Sequence, residues 1–239
     1  MKLPDVVLLA GFSSRALVYF QLMRECGMLP CHVILFGIED SYVAGKDIGK
    51  IKRIVDDPRI NLSLSLIDEC KNSGCPYTHI TQNSVNCPEI FDALTRLKPA
   101  LVIYAGYGSQ IVGKTLLAVA PFLHVHAGWL PEEKGSTTLY YSILKNRCCS
   151  ASAILLSSDL DGGPILARER YPIPRPEIEI DHYYDSYIRA DLLVRVLQDY
   201  YVSGKLPDPI DPTENETMYY VIHPILKHIA ILSLDKNFC

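Results

Sequence analysis

Two histidines and one aspartate have the residue types and the spacing for catalytic chemistry. His124 and His126 lie two apart in the run 122–126 (FLHVH), which has the composition of a buried strand. Period-two alternation therefore places both imidazoles on one face of that strand. Asp161 follows in a glycine-bent acidic turn, 158–163 (SDLDGG), between two candidate strands. A carboxylate beside an imidazole can fix its tautomer or raise its pKa, so the three residues are candidates for general acid–base chemistry.

Each of these patterns also has a simpler explanation when taken alone. An isolated His-x-His pair in a strand is often one core histidine and one surface histidine. An isolated Asp-x-Asp-Gly-Gly is usually a turn and occasionally a cation loop. Two imidazoles and a carboxylate also make a plausible set of metal ligands. Acid–base catalysis and metal binding are therefore both open at this point.

The elements that would position these residues follow an alternating pattern. Apolar runs at 6–10, 32–36 and 101–104 predict buried strands, and helical stripes predict helices at 15–25 and 89–97. This β-α-β-α-β order predicts an α/β fold with a Rossmann-like, mostly parallel twisted sheet. In such sheets ligands bind at the carboxyl ends of the strands. The segments between are less distinct: a short helix at 48–55, weak alternation at 61–66 and a short strand at 77–80.

The second half of the chain predicts a hairpin followed by helices. We expect a long helix near residues 178–202, a surface linker over 204–216 and a final element over 219–232. We predict a catalytic domain over 1–175, with a small C-terminal helical extension over 176–239 packed on it. The remaining predicted elements are helices at 111–120 and 137–145 and strands at 122–126, 153–157 and 165–171.

Three segments together resemble the formyltransferases that use 10-formyltetrahydrofolate. This family includes glycinamide ribonucleotide transformylase, methionyl-tRNA formyltransferase and the sugar-nucleotide N-formyltransferases. Its shared core is approximately Asn-x-His-x-x-x-Leu-Pro-x-x-(Arg/Lys)-Gly, followed later by Asp-x-Gly-x-Ile. The matching stretches here are 124–135 (HVHAGWLPEEKG) and 161–165 (DGGPI), and 99–111 (PALVIYAGYGSQI) is similar to the strand and loop beside the pteridine. The resemblance covers residues 99–173.

The resemblance implies catalytic roles for the three residues. His126 would be the catalytic histidine and Asp161 the aspartate that orients it, while an asparagine amide would share in holding the oxyanion. This chain has His124 at the asparagine position, so an imidazole would have to donate the N–H there. The implied reaction is N-formyl transfer from 10-formyltetrahydrofolate to an amine of a small metabolite, either an aminosugar nucleotide or an amino-acid-like compound. The alternatives are a folate-independent, hydrolytic or condensing enzyme on the same fold, or a metal enzyme using the two histidines and the aspartate.

The resemblance also suggests residues that bind the two substrates. The loop after the third parallel strand and the acidic turn would embrace the pteridine, and the turn after the first strand would hold an anion of the acceptor. Lys134 is a candidate for the same anion. The predicted donor-binding residues are Tyr104, Ala105, Gly106, Tyr107, Ile111, Leu160, Gly162 and Gly163. The predicted acceptor-binding residues are Gly11, Ser13, Arg15 and Lys134.

Composition limits the partners and the setting. The 239 residues carry a formal net charge of −4, which gives no basic surplus for nucleic acid or an anionic membrane. The eight cysteines lack paired metal-site spacing, so we expect reduced thiols, with Cys148 and Cys149 as a candidate reactive pair. We expect a cytoplasmic enzyme with a small-molecule amine substrate, no nucleic-acid or membrane partner and no bound metal. A homodimer and the identity of the amine stay open.

Overall fold

A seven-stranded sheet forms the centre of the structure, which is a computed structural model that describes residues 2–39, 56–108 and 110–235. The strand order is β3-β2-β1-β4-β5-β7-β8. A second, two-stranded sheet joins β6 to β9. The strands are β1 (Lys2–Gly11), β2 (Leu29–Phe36), β3 (Tyr77–Ile80), β4 (Leu101–Ala105), β5 (Phe122–His126), β6 (Lys134–Gly135), β7 (Cys149–Leu155), β8 (Ile165–Tyr171) and β9 (Met218–Tyr219). The helices are α1 (Ser14–Glu25), α2 (Leu66–Ser73), α3 (Pro88–Leu97), α4 (Lys114–Leu117), α5 (Thr138–Asn146), α6 (Asp185–Ser203) and α7 (Pro224–Leu232).

The sheet confirms the predicted, mostly parallel α/β architecture. Strand β1 pairs in parallel with β2 and β4, while β2 pairs in parallel with β3 and β4 with β5. Strand β7 pairs in antiparallel fashion with β5 on one side and with β8 on the other. The β7–β8 pair confirms the predicted hairpin whose connection contains the acidic turn. Chain order reverses at β1, since β2 and β3 lie on one side of it and β4 on the other. The crevice at the carboxyl ends of β1 and β4 is therefore the place where such sheets bind ligands.

Helices α1 and α6 cover one face of the sheet and pack against each other. Helix α1 begins where the Ser13 hydroxyl accepts the Ala16 N–H, a side-chain cap that replaces a missing intrahelical partner. Leu17 and Phe20 of α1 and Leu193 and Leu197 of α6 are buried in one core cluster. The predicted extension beyond residue 176 thus contributes α6 to the same core as α1. The position of a domain boundary stays a prediction.

Two regions differ from the sequence-based expectation in the first half of the chain. Residues 61–66, expected to alternate as a strand, form turns that lead into α2. The Ser65 hydroxyl accepts the Asp68 N–H and Gly74 ends the helix in the left-handed region, so local capping outweighs the weak alternation. The helix expected over 111–120 shortens to α4, because the Asn86 side chain binds the Ile111 carbonyl and the Gly113 N–H. The helix predicted at 48–55 lies outside the described residues.

The C-terminal elements are also more divided than expected. The single helix predicted over 178–202 begins with a π-helical turn, Ile180–Tyr184, and continues as α6. The Glu179 carboxylate accepts the N–H groups of residues 181–183, which caps that wider turn. The final element predicted over 219–232 consists of β9 and α7. No helix in the described ranges is long and apolar enough to cross a membrane.

The cysteines described by the structure are all free thiols, as the sequence predicts. Burial raises the pKa of both Cys148 and Cys149. Neither thiol is therefore activated as a thiolate, so the expectation of a reactive pair at this position is not supported.

Candidate active site

A cavity of about 440 Å³ opens at the carboxyl ends of β4 and β5. It brings together all three candidate catalytic residues and several predicted binding residues from distant parts of the chain. Its wall also includes residues of α6 and of the segment around β9. The predicted residues that line it are Arg15, Tyr104, Tyr107, Ile111, His124, His126, Leu160 and Asp161.

His126 is held at both ring nitrogens inside the cavity wall. Its Nε2 lies 2.6 Å from the backbone oxygen of Glu133. A carbonyl oxygen only accepts, so Nε2 carries the proton. Its Nδ1 lies 3.6 Å from Asp161 Oδ2. Burial lowers the pKa of His126 and outweighs Asp161, which acts to raise it. The aspartate thus faces the imidazole as predicted, but the expected rise in pKa is reversed by desolvation.

Only one ring nitrogen of His124 makes a hydrogen bond with a described residue. Its Nδ1 lies 3.2 Å from the Tyr104 backbone oxygen and must donate to it. No described residue makes a hydrogen bond with Nε2. Burial lowers the pKa of His124 well below its usual 6.5, and the charges of Arg15 and Arg189 lower it further. The ring is therefore neutral at pH 7 and its Nε2 is a lone-pair acceptor, whereas the resemblance calls for an N–H donor at this position.

Asp161 reaches the cavity because of the turn between β7 and β8. It adopts a positive φ of 49°, and the Gly162 N–H closes the turn on the Asp159 carbonyl at 3.2 Å. Aspartate tolerates this left-handed backbone better than most residues. A Cβ on Gly163 would lie 1.8 Å from the Leu155 carbonyl oxygen, so a glycine is required where the turn leaves β7. The carboxylate also accepts the Gly135 N–H at 2.9 Å.

The loop 127–135 is organised by the buried carboxylate of Glu133. This side chain accepts hydrogen bonds from the Trp129 N–H at 2.7 Å, Ser150 Oγ at 3.0 Å and Asn146 Nδ2 at 3.1 Å, and also from Ser142 Oγ. The same residue offers its backbone carbonyl to His126. Sequence reasoning treated position 133 as a variable residue of the motif. The burial of this side chain is not visible in the sequence, so nothing in the motif indicated this role.

The turn after β1 is closed by the Tyr107 side chain. A Cβ on Gly11 would lie 2.9 Å from the Tyr107 ring, so the two are in close contact. The Tyr107 hydroxyl accepts the Phe12 N–H at 3.0 Å and donates to the Phe36 carbonyl at 3.2 Å. The Ser13 hydroxyl is occupied in capping α1. Gly11 and Ser13 therefore do not line the cavity, although the sequence predicts them as anion binders.

The other predicted binding residues lie beside the cavity. Ala105 is buried in the core, and Gly106 offers its carbonyl to Arg15. Gly162 and Gly163 shape the turn but do not line the cavity. Lys134 is buried and its Nζ pairs with Glu216 at 2.8 Å, so its charge is already matched.

Arg189 is the main cavity residue that sequence reasoning missed. Its Nε lies 3.0 Å from Asp185, one helical turn earlier. In the sequence, this pair has the spacing of a solvent-exposed i, i+4 salt bridge. The structure shows that it faces inward and that Nη1 donates to the Val125 carbonyl of β5 at 3.0 Å. The pairing of β6 with β9 also brings Tyr219, Tyr220 and Val221 to the cavity mouth.

The two histidines and the aspartate are not arranged as the ligands of a metal ion. Within the described residues, no group of three or more His, Cys, Asp or Glu side chains is placed so that it could hold a metal ion. The inner nitrogens of the two histidines face backbone carbonyls, as described above.

Sequence comparisons find relatives for part of this chain. No family model matches the chain. A methionyl-tRNA formyltransferase from Finegoldia magna is 32% identical over 126 residues, which is 51% of this chain and 40% of that protein. A second, from a Nitratiruptor species, is 28% identical over 157 residues, which is 65% of this chain and 49% of that protein. The chain therefore spans less than half the length of these relatives.

Solved structures give the same fold. A sugar N-formyltransferase from a Shewanella species superposes with a TM-score of 0.60 at 16% identity, over 96% of this chain and 87% of that one. A phosphoribosylglycinamide formyltransferase from Streptococcus pneumoniae gives 0.58 at 17% identity, over 83% and 99%. The chain is related to the formyltransferases. The resemblance inferred from the motifs is confirmed, and so is the fold. The roles of the individual residues stay predictions.

Proposed function

We propose that this protein transfers a formyl group from 10-formyltetrahydrofolate to the amine of a small metabolite, an aminosugar nucleotide or an amino-acid-like compound. The observation that carries the proposal is the convergence of His124, His126 and Asp161 in one cavity at the carboxyl end of β5. They come from two segments 35 residues apart in a chain related to formyltransferases. The donor supplies a one-carbon group that an amine can attack.

The cavity fits the flat ring system of such a donor. Ile111 and Leu160 stand on two different loops at its rim and are 58% and 52% exposed, which is costly for large apolar side chains unless something covers them. Val112 and Leu156 add apolar lining, and His124, Asp159 and Asp161 are among the polar residues of the wall. An apolar slot with a few polar groups is the usual form of a small-molecule site.

His124 is suited to moving the proton in this reaction. The amine nitrogen must lose a proton as it bonds to the formyl carbon, and the donor nitrogen must gain one as its bond to that carbon breaks. Nε2 of His124 can accept the first proton and return it to the donor nitrogen, so the proton count balances. The low pKa of His124 makes its protonated form a strong acid for the second step. Proton transfer of this kind contributes about 10²–10⁴ in rate.

His126 and Asp161 complete the site beside that histidine. With Nε2 donated to Glu133, the His126 ring presents Nδ1 towards the Asp161 carboxylate at 3.6 Å. A positive charge that develops in the cavity is stabilised by this carboxylate, and a proton taken up at Nδ1 would form an ion pair with it. Asp161 thus stabilises a positive charge on His126, next to the histidine that accepts the amine proton.

Donor binding is the first test. Calorimetric titration with 5-formyltetrahydrofolate, a stable relative of the donor, should show saturable binding with a Kd of the order of micromolar. Leu160→Asp should weaken it at least about 10-fold, because a charge at the rim opposes burial of an apolar ring. Val202→Asp is the matched control, since Val202 is also an exposed apolar residue but lies at the far end of α6. No binding by the folded wild-type protein would favour a folate-independent enzyme on this scaffold.

Turnover is the second test. The protein is supplied with 10-formyltetrahydrofolate and a panel of small amines, and formylated products are detected by mass spectrometry. His124→Asn and His126→Ala should each lower kcat by about 10²–10⁴ while donor binding is retained. His228→Asn, a substitution at an exposed position of α7, should leave kcat unchanged. Survival of turnover within a few-fold in His126→Ala would show that the assignment is wrong, and formate release without an amine would indicate a hydrolase.

A further inference from the structure

One guanidinium in the cavity has no carboxylate within ion-pair distance among the described residues, although Asp159 and Asp161 also line the cavity. Two guanidinium groups, Arg15 and Arg189, line it. Arg189 is paired with Asp185 at 3.0 Å. Arg15 has no carboxylate within ion-pair distance in the part of the chain that the structure describes, and its guanidinium donates to the Gly106 carbonyl instead. Its Nε is buried and makes no hydrogen bond with any described group. Burial and the nearby Arg189 lower the pKa of Arg15, while Asp185 and two tyrosines act to raise it.

The Tyr104 hydroxyl is a second unpaired donor at the same place. Tyr104 is 5% exposed, and its Oη has no hydrogen-bond partner among the residues described. The hydroxyl touches Gly106, where a Cβ would lie 2.3 Å from it, and Gly106 is the residue whose carbonyl accepts from Arg15. Burial raises the pKa of Tyr104 to about 12, so the hydroxyl keeps its proton. Buried donors without acceptors are destabilising, and a bound anion would satisfy both.

Two other anion sites that the sequence predicts are already occupied by groups of the protein. The N-terminus of α1, the ordinary anion site after a first strand, is closed by the Tyr107 side chain and by the Ser13 cap. Lys134 is paired with Glu216. The unmatched charge at Arg15 lies instead in the cavity that also holds His124 and His126.

We propose that Arg15, Tyr104 and Arg189 form a subsite for an anionic group, a carboxylate or a phosphate, carried by the acceptor amine. The assignment to the acceptor rests on the formyl transfer proposed above. A guanidinium and a hydroxyl together suit the oxygens of such a group, because charge-assisted hydrogen bonds are short and strong. The subsite also has a consequence for the chemistry. A bound anion offsets the two positive charges that act on His124, and so it makes that histidine a better proton acceptor when the acceptor is in place.

The test uses anions alone, without a formyl donor. The ¹⁵N-labelled protein is titrated with inorganic phosphate, with acetate and with the neutral analogue acetamide, and chemical shifts of the cavity residues are followed. At least one of the two anions should bind saturably and acetamide should not. Preference for phosphate would indicate a phosphorylated acceptor, and preference for acetate a carboxylated one. Either preference supports the subsite, whereas no saturation by either anion, or equal binding of acetamide, would overturn it.

Three variants locate the binding. Arg15→Gln should weaken anion binding roughly 10-fold to 100-fold, and Tyr104→Phe, which removes the hydroxyl but keeps the ring, roughly 2-fold to 10-fold. Arg96→Gln is the matched control, since Arg96 is exposed on α3 away from the cavity, and it should have no effect. Unchanged binding in Arg15→Gln would refute the proposal. If that variant does not fold, Tyr104→Phe decides alone, with unchanged affinity refuting it. Because these titrations contain no folate, their failure leaves the donor-binding test of the proposed function standing.

Discussion

Replacing Glu133 by glutamine should destabilise the protein more than its small change in shape suggests. The carboxylate accepts four hydrogen bonds, from Trp129, Ser142, Asn146 and Ser150. A glutamine keeps one acceptor oxygen and turns the other end into a donor. If the amide nitrogen faces the Trp129 N–H, two fixed donors oppose each other. If it faces Asn146, that side chain must flip its own amide to accept. The serine hydroxyls can rotate to accept in either case.

The magnitude follows from these contacts. One buried donor left without an acceptor costs about 1–3 kcal/mol, and hydrogen bonds to a charged acceptor exceed neutral ones by about 1 kcal/mol each. Burying a neutral amide costs less than burying a carboxylate, which offsets part of this loss. We therefore expect the free energy of unfolding to fall by about 2–4 kcal/mol. For a chain of this length, Tm should then fall by about 4–16 °C.

Urea unfolding followed by circular dichroism measures this loss. Glu132→Gln is the matched control, because it makes the same substitution at the neighbouring position, where no hydrogen bond or ion pair of the side chain is seen among the described residues. Its free energy of unfolding should change by less than about 0.5 kcal/mol. Should Glu133→Gln also change stability by less than about 0.5 kcal/mol, the carboxylate would not organise the loop, and the reasoning about how His126 is held would be refuted.

Two further predictions concern the histidines. A Cβ on Gly128 would lie 2.8 Å from both the Glu133 carbonyl oxygen and His126 Nε2, so Gly128→Ala should cost about 1–3 kcal/mol in urea unfolding and remove the Nε2–H···O bond seen by NMR. Gly108→Ala, where a Cβ meets nothing within 4 Å, should be neutral for stability, and equal costs would refute the steric argument. The pKa of His124 is low in the folded state, so below the unfolded value of about 6.5 the unfolded chain takes up a proton that the folded chain does not. The contribution of His124 to stability should therefore fall as pH falls below 6.5, with a slope that approaches about 1.4 kcal/mol per unit, and His124→Asn should remove this contribution while that of His126 is kept. Identical slopes in the two proteins would contradict the assignment.

Much of the fold could be predicted from local patterns. The apolar runs that form β1, β2 and β4 are buried on both faces. Continuous apolar runs of this kind can be predicted as strands from the local sequence alone. The side-by-side placement of His124 and His126 followed from strand alternation alone. Helix α2 was missed although its signals were present, since Ser65 and Asp68 have capping-box spacing and Gly74 ends the helix. The weak alternation of apolar and polar residues over 61–66 does not form a strand, because these helix-capping signals are stronger.

What could not be predicted depends on contacts between distant residues. The Tyr107 hydroxyl accepts the Phe12 N–H across 95 residues and closes the turn that the sequence predicted as an anion site. Nothing in the sequence around Gly11 indicates that a ring will cover it. Arg189 is similar, because its spacing from Asp185 predicts a surface pair, and only the packing of α6 against α1 turns it inward.

By resemblance, His124 stands where the formyltransferase pattern has an asparagine, and the two side chains offer different hydrogen bonds. An asparagine amide can present an N–H at any pH, because it does not titrate. An imidazole offers an N–H or a lone pair, and its other nitrogen decides which. In His124 the Nδ1–H group donates a hydrogen bond to the Tyr104 carbonyl. Nε2 of the neutral ring, on the cavity side, is therefore a hydrogen-bond acceptor. Burial keeps the ring neutral, and the Arg15 and Arg189 charges add to its effect. In the proposed mechanism His124 is therefore a base whose pKa responds to charge, and an anionic acceptor bound beside it would favour removal of the acceptor's own proton.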